Sequence, residues 1–270
     1  MGWLLRILPR DRSPDDTEGE LLAAALWDLG TTGLFQDGDG SIVAGFEVRE
    51  TAVAAAAALV DDRRLQVTVT EPERAKTAAE LAPETEPQSV TIQIDGRPVD
   101  LMIQVAGVFG HGHHPTTRLA LDLLLTHLRP GERVLDVGTG TGILTVAAAA
   151  AGAGAAIGLD NDPEAVSVAT GNLARNGDLF AGPASVGLWS VPEAVTVLGG
   201  PADLVVVNVL LPVHRLVAPS VLEATAAGGG IITTGYLVDQ ALEVAALYGA
   251  PAEADPAAAA DGWVGHVFRP

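Results

Sequence analysis

The chain has 270 residues, enough for one large domain or two smaller ones, and 48% of it is hydrophobic, which excludes global disorder. It contains no cysteine, so disulfides, cysteine-ligated zinc and a cysteine nucleophile are all excluded. With 15 Lys and Arg against 34 Asp and Glu the net charge is −19, so the basic footprint expected of a nucleic-acid binder is missing, and the acidity serves solubility or attraction toward a basic protein.

The first residues (MGWLLRILPR) hold too short an apolar run for a signal peptide. Residues 21–35 read as a short helix ended by Gly30 and followed by a turn. Ser41 to Val48 alternates like a strand, Thr51 to Val60 is Ala-rich with helical spacing, and Leu65 to Thr70 is a further strand candidate. Together they predict a small α+β domain over residues 1–75. Glu71 to Gln88 is rich in proline and charge and reads as a linker, and two β-like runs then flank Asp95-Gly96, so that 76–103 is taken as linker and β segment.

From residue 104 to 270 the pattern is that of one larger domain. Helices are expected over Thr116 to Leu128, after the glycines that follow position 137, over Asp162 to Asn176 and at about 212–226. Strands are expected at Arg133 to Val137, Ala155 to Asp160, Ala202 to Asn208, Gly230 to Thr234 and Trp263 to Phe268. Such alternation predicts an α/β, mostly parallel, doubly wound sheet. Residues 250–260 (APAEADPAAAA) read as a low-complexity loop. The longest uncharged stretch, Ile143 to Leu159, falls short of the roughly 20 strongly apolar residues of a membrane span and reads as interior packing, so a cytoplasmic protein is expected.

In such sheets ligands sit beyond the carboxyl ends of the strands. The first strand of the large domain runs into Gly138-Thr139-Gly140-Thr141-Gly142. Glycines there let a ligand lie against bare backbone, although glycine loops also serve simply as turns. A dinucleotide fingerprint needs its third glycine at position 143, where Ile stands, so a nicotinamide dehydrogenase is disfavoured. The next strand ends in Asp160, whose carboxylate can accept hydrogen bonds from ribose hydroxyls. The alternative, a helix cap, is better served by Asn161 or Asp162. Asn208 ends a further strand at the same edge, where it is either a turn residue or a contact for a cofactor or an incoming amine. Three histidines, His111, His113 and His114, lie in the glycine-punctuated segment 108–117. With no Cys or Glu nearby, no metal site is expected from them. The hydroxyl of Thr117 is a candidate for the polar end of a ligand.

These stretches together resemble the PrmA family, the methyltransferases of ribosomal protein L11. The resemblance rests on VFGHGHHPTT at 108–117, on VLDVGTGTGIL at 134–144 and on GLDNDPEAV at 158–166, followed by Asn172 and Asn176-Gly177. Asn208-Val209-Leu210 and the strand from Trp263 complete it, over about residues 104–270. His111 stands where the family has Thr, Ala106 where it has Pro, and residues 71–100 lack the family's tryptophan-rich stretch. The resemblance implies a Rossmann-like, seven-stranded class I methyltransferase sheet whose last strand is antiparallel. It implies S-adenosylmethionine as cofactor, with Thr117, Gly138, Gly140, Gly142, Asp160 and Asn208 as contacts. The small N-terminal domain would recognise the ribosomal protein.

On that likeness an amine of a basic protein, free ribosomal protein L11, attacks the sulfonium methyl in line. The Asn208 carbonyl or neighbouring backbone carbonyls orient the amine, and His111, His113 and His114 are candidate bases. Two other readings stay open: a small-molecule methyltransferase on the same fold, and a non-catalytic protein that keeps the cofactor as a support. An adenine-methylating enzyme is disfavoured, because Asn208 is followed by Val-Leu-Leu rather than by two prolines and an aromatic residue.

Overall fold

The structure, a computed structural model, describes residues 3–9, 22, 25–26, 29, 31, 33–36, 42–46, 48–59, 65–70, 86–105, 108–110, 112, 114–249 and 257–269. It divides into two compact units, residues 1–83 and 84–270.

The first unit contains strands β1 (Trp3–Pro9), β2 (Gly33–Gln36), β3 (Ile42–Phe46) and β4 (Leu65–Thr70), with helix α1 (Arg49–Leu59) between β3 and β4. The strands form an antiparallel sheet in the order β2-β3-β1-β4. Leu5, Ile7, Ile42, Ala44 and Phe46 pack against Ala52 and Ala55 of α1 to form its core. The opening segment, which carried no secondary-structure expectation, is a central strand, and Gly33–Gln36, expected as the turn after a helix ended by Gly30, pairs with β3. Pairing across the sheet, which local pattern does not encode, decides both.

The second unit begins with a hairpin, β5 (Gln88–Ile94) and β6 (Arg97–Ile103). Its turn is Asp95-Gly96, both at positive φ (50° and 72°), the conformation that matches the twist of a two-residue hairpin. Thereafter come α2 (Pro115–His127), β7 (Arg133–Val137), α3 (Ile143–Ala150), β8 (Ala155–Leu159), α4 (Pro163–Asn176), β9 (Ala184–Gly187), α5 (Val191–Leu198), β10 (Ala202–Asn208), α6 (Leu211–Ala224), β11 (Thr225–Leu237), α7 (Ala241–Leu247), β12 (Ala258–Ala260) and β13 (Trp263–Phe268). Seven of these strands form one sheet in the order β12-β13-β11-β10-β7-β8-β9. β11, β10, β7, β8 and β9 are parallel, and β13 runs antiparallel to both its neighbours. The expected α/β sheet with an antiparallel last strand is thus present.

Alternation along the strands divides the core. Leu135, Val137, Val205 and Val207 face α5, α6 and α7, whereas Val134, Leu204, Val206 and Ile232 face α2, α3 and the β5–β6 hairpin. The hairpin, set apart in sequence, is therefore part of this unit. Ile143 to Ala149 are all buried, so α3 is covered on every side, as a helix held between sheet and hairpin must be, and apolar but for Thr145. β9, α5 and α7 had no sequence expectation attached. Residues 258–260, expected as loop, form an edge strand paired with β13, a pairing invisible in a run of alanines; residues 250–256 lie outside the described residues. Among the described residues no helix is long and apolar enough to cross a membrane.

Candidate functional site

In the sheet, β7 is the earliest strand, with β8 and β9 added on one side and β10 and β11 on the other. Strand order reverses between β7 and β10, and open α/β sheets hold ligands in the crevice outside the strand ends at such a reversal. The glycine loop, Asp160 and Asn208 all follow strands at this edge.

The loop is tied to its neighbours by backbone. The N–H groups of Gly138 and Thr139 both donate to the carbonyl of Leu159, at 2.9 Å each. Gly140 N–H donates to Asp160 Oδ2 at 2.9 Å, and Asp162 N–H to Asp160 Oδ1 at 3.1 Å. A carboxylate offers about four lone-pair sites, so Asp160 can accept further hydroxyl donors while it braces the loop. Burial raises its pKa, and the backbone donors of Gly140 and Asp162 oppose that rise. Asp162, not Asp160, caps α4, through Glu164 N–H at 2.8 Å.

The segment before α2 lies across the glycine loop. Thr141 N–H donates to Phe109 O at 3.0 Å, and Thr141 Oγ1 donates to Gly110 O at 2.7 Å. A Cβ on Gly140, at φ +54°, would stand 2.5 Å from Phe109 O. Glycine is therefore needed here for the protein's own close approach, a physical reason other than ligand access. Thr117 is fully buried and its Oγ1 has no hydrogen-bond partner among the described residues. His114 caps α2, its Nδ1 accepting from Thr116 N–H at 3.2 Å. His111 and His113 lie outside the described residues.

Asn208 ends β10, almost buried, and its Oδ1 accepts the hydroxyl of Thr234 at 2.6 Å. The oxygen expected to orient an amine thus carries one hydrogen bond and keeps a second acceptor site.

Two groups have structural roles to which no sequence expectation was attached. Asp136, buried near the end of β7, accepts from Thr139 Oγ1 at 2.6 Å and from Thr145 Oγ1 at 2.8 Å, while its Oδ1 has no partner among the described residues. Burial pushes its pKa up to about 6 against those two hydroxyls. The signal was an acid inside an apolar strand, where charge is costly without partners. The second group is Asn172 and Asn176 on α4. Asn172 accepts from Gln104 N–H and donates to Gln104 O, both at 2.8 Å, and donates to Thr141 O at 2.8 Å. Asn176 does the same for Met102, at 2.9 and 3.0 Å. Each amide acts as one strand residue: Asn176 ties the end of β6 to α4, and Asn172 ties the residue after it to α4 and the glycine loop.

A backbone cradle, a carboxylate with spare acceptor capacity and a buried unpartnered hydroxyl suit a ligand that combines a ribose with a polar tail. The family model described as ribosomal protein L11 methyltransferase (PrmA) matches residues 71–269. The ribosomal protein L11 methyltransferase of Thermus thermophilus is 42% identical over 147 residues, covering 54% of this chain and 55% of the relative. That of Ralstonia pickettii is 39% identical over 181 residues, covering 66% and 54%. The chain thus spans about half the length of the curated relatives it matches. The crystal structure of a ribosomal protein L11 methylase from Lactobacillus delbrueckii subsp. bulgaricus superposes with a TM-score of 0.53 over 63% of this chain and 84% of that one, at 24% identity, which shows a common fold.

Proposed function

Since this chain belongs to the ribosomal protein L11 methyltransferase family, we propose that it is an S-adenosylmethionine-dependent N-methyltransferase acting on amino groups of a basic protein. The substrate named for its relatives, ribosomal protein L11, is the first candidate. The single observation that carries the reading is the bridge from Gly140 N–H to Asp160 Oδ2, 2.9 Å, at the reversal of strand order. It joins the bare-backbone bend and the ribose acceptor into one unit.

Gly138, Gly140 and Gly142 would supply backbone against the cofactor, Asp160 would accept its ribose hydroxyls, and Thr117 and Asn208 would hold its remaining polar groups. Bound there, S-adenosylmethionine supplies a sulfonium methyl open to direct displacement. The chain's own contribution is placement. A lysine amine, ordinarily protonated up to a pKa near 10.4, is favoured in its neutral form by desolvation in the cleft. Backbone carbonyls after β10 would orient it, and alignment of the reacting atoms provides most of the rate. The net charge of −19 suits a free basic protein better than an assembled particle coated in RNA.

Calorimetry with S-adenosylhomocysteine tests the cofactor reading. Binding is expected to the wild type and to weaken about 100-fold in Asp160→Ala, the worth of two hydrogen bonds to a charged acceptor. Unchanged affinity in that variant would sink the reading. For the substrate, radiolabelled cofactor added to extract of a strain lacking the protein should label one small basic band.

A second reading, methylation of a small molecule, draws support from the family match starting only at residue 71, beyond the strands of the first unit.

A further inference from the structure

Strand β11 carries one more residue than its partner where it passes Asn208. Thr233 pairs with His266 and Tyr236 with Val264, so Thr234 and Gly235 together oppose Gly265. This is a β-bulge, a device that re-aims a side chain. Gly235 takes φ +91°, and a Cβ there would lie 2.3 Å from Val209 O. The carbonyl of Thr234 is met by Nε2 of His214 at 2.9 Å. A nitrogen facing a carbonyl must carry the proton, so His214 Nδ1 accepts from Tyr248 OH, also at 2.9 Å. Burial lowers the His214 pKa to about 4, which keeps the ring neutral at neutral pH. The side chain of Thr234, held in this way, donates to Asn208 Oδ1 at 2.6 Å. The same hydroxyl lies 3.3 Å from the carbonyl of Thr116, beyond the usual O–H···O range, so its one proton goes to the amide oxygen of Asn208. Asn208 Nδ2 is then the end without a partner among the described residues.

We propose that Thr234 is a positioning residue: delivered by the bulge, its hydroxyl orients the Asn208 amide so that the site presents a hydrogen-bond donor, Nδ2, to an acceptor atom of the bound cofactor. The inference rests on the cofactor reading above. It leaves one lone pair of the Asn208 carbonyl, beside the backbone carbonyls, for the handling of the amine.

The test is calorimetry with S-adenosylhomocysteine on the full chain. Thr234→Val keeps the β-branched shape and is expected to weaken binding roughly three- to ten-fold, the worth of one neutral hydrogen bond. Thr234→Ser should restore it. In an Asn208→Ala background, Thr234→Val should have no further effect, because it acts through that amide. Asn208→Asp, which has no donor, should bind no better than Asn208→Ala. Should Thr234→Val prove unstable, Thr234→Ala enters the same cycle. Additive losses, wild-type affinity in Thr234→Val, or wild-type affinity in Asn208→Asp would each overturn the assignment while leaving the cofactor reading standing. Absence of binding to the wild type would overturn both.

Discussion

Asp136 and His214 are both buried and ionisable, and their influence on stability runs in opposite directions with pH. The His214 pKa falls to about 4 from 6.5. The unfolded chain therefore takes up the proton first, so the contribution of this group is complete above pH 6.5 and is lost as pH drops toward 4, by about 3 kcal/mol in total. Asp136 is raised from 3.8 to about 6, so its contribution is present below 3.8 and lost as pH rises through about 6. Denaturant midpoints between pH 4 and 7 separate the two. His214→Gln should lessen the loss on the acid side, and a slope identical to wild type would contradict the assignment. Gly140→Ala combines a strained φ of +54° with a carbonyl 2.5 Å from the new carbon. It is expected to destabilise the chain by about 1–3 kcal/mol and to weaken S-adenosylhomocysteine binding in calorimetry, because the segment at Phe109 must give way.

At the scale of elements, the link between α4 and the chain at the end of β6 rests on two amides that imitate a strand. Asn172→Leu would strand the N–H and carbonyl of Gln104 and the carbonyl of Thr141. A loss of about 3 kcal/mol is expected, given what an unmade buried hydrogen bond costs, together with faster amide exchange at Gln104. Exchange at the wild-type rate would show that the clamp does not hold this segment. Most elements around the site were legible because they are long and periodic: α2, α4 and β10 matched their expected spans to within a residue or two. β12 was not, since three alanines carry no period and only pairing with β13 makes them a strand. The Gly33–Gln36 strand, expected as a turn, has the same explanation, as nothing local separates so short a strand from irregular chain.

The whole molecule couples an acidic surface to a two-unit architecture. If the first unit recognises the protein substrate, residues 84–270 alone should bind S-adenosylhomocysteine as the full chain does and lose methylation of a basic protein. Retention of that methylation by the shortened chain would favour a role for the first unit other than recognition. Attraction by the net charge of −19 should also appear as a fall in kcat/KM with added salt, measured with isolated ribosomal protein L11. Flat salt dependence would remove charge from the account of the partner.

The order of most strands and helices in the second unit, and the identity of the residues at its sheet edge, were set by local features: glycines between a strand and a helix, an acid ending the next strand, an Asn ending another. These are properties of neighbours along the chain. Tertiary structure alone decided how the groups are engaged. The Asn208 amide is oriented by Thr234, 26 residues away, and Thr234 by a bulge against β13 and a histidine on α6. Hydrogen bonds between distant residues depend on register and burial, and both are outcomes of packing the sheet rather than properties of any one segment.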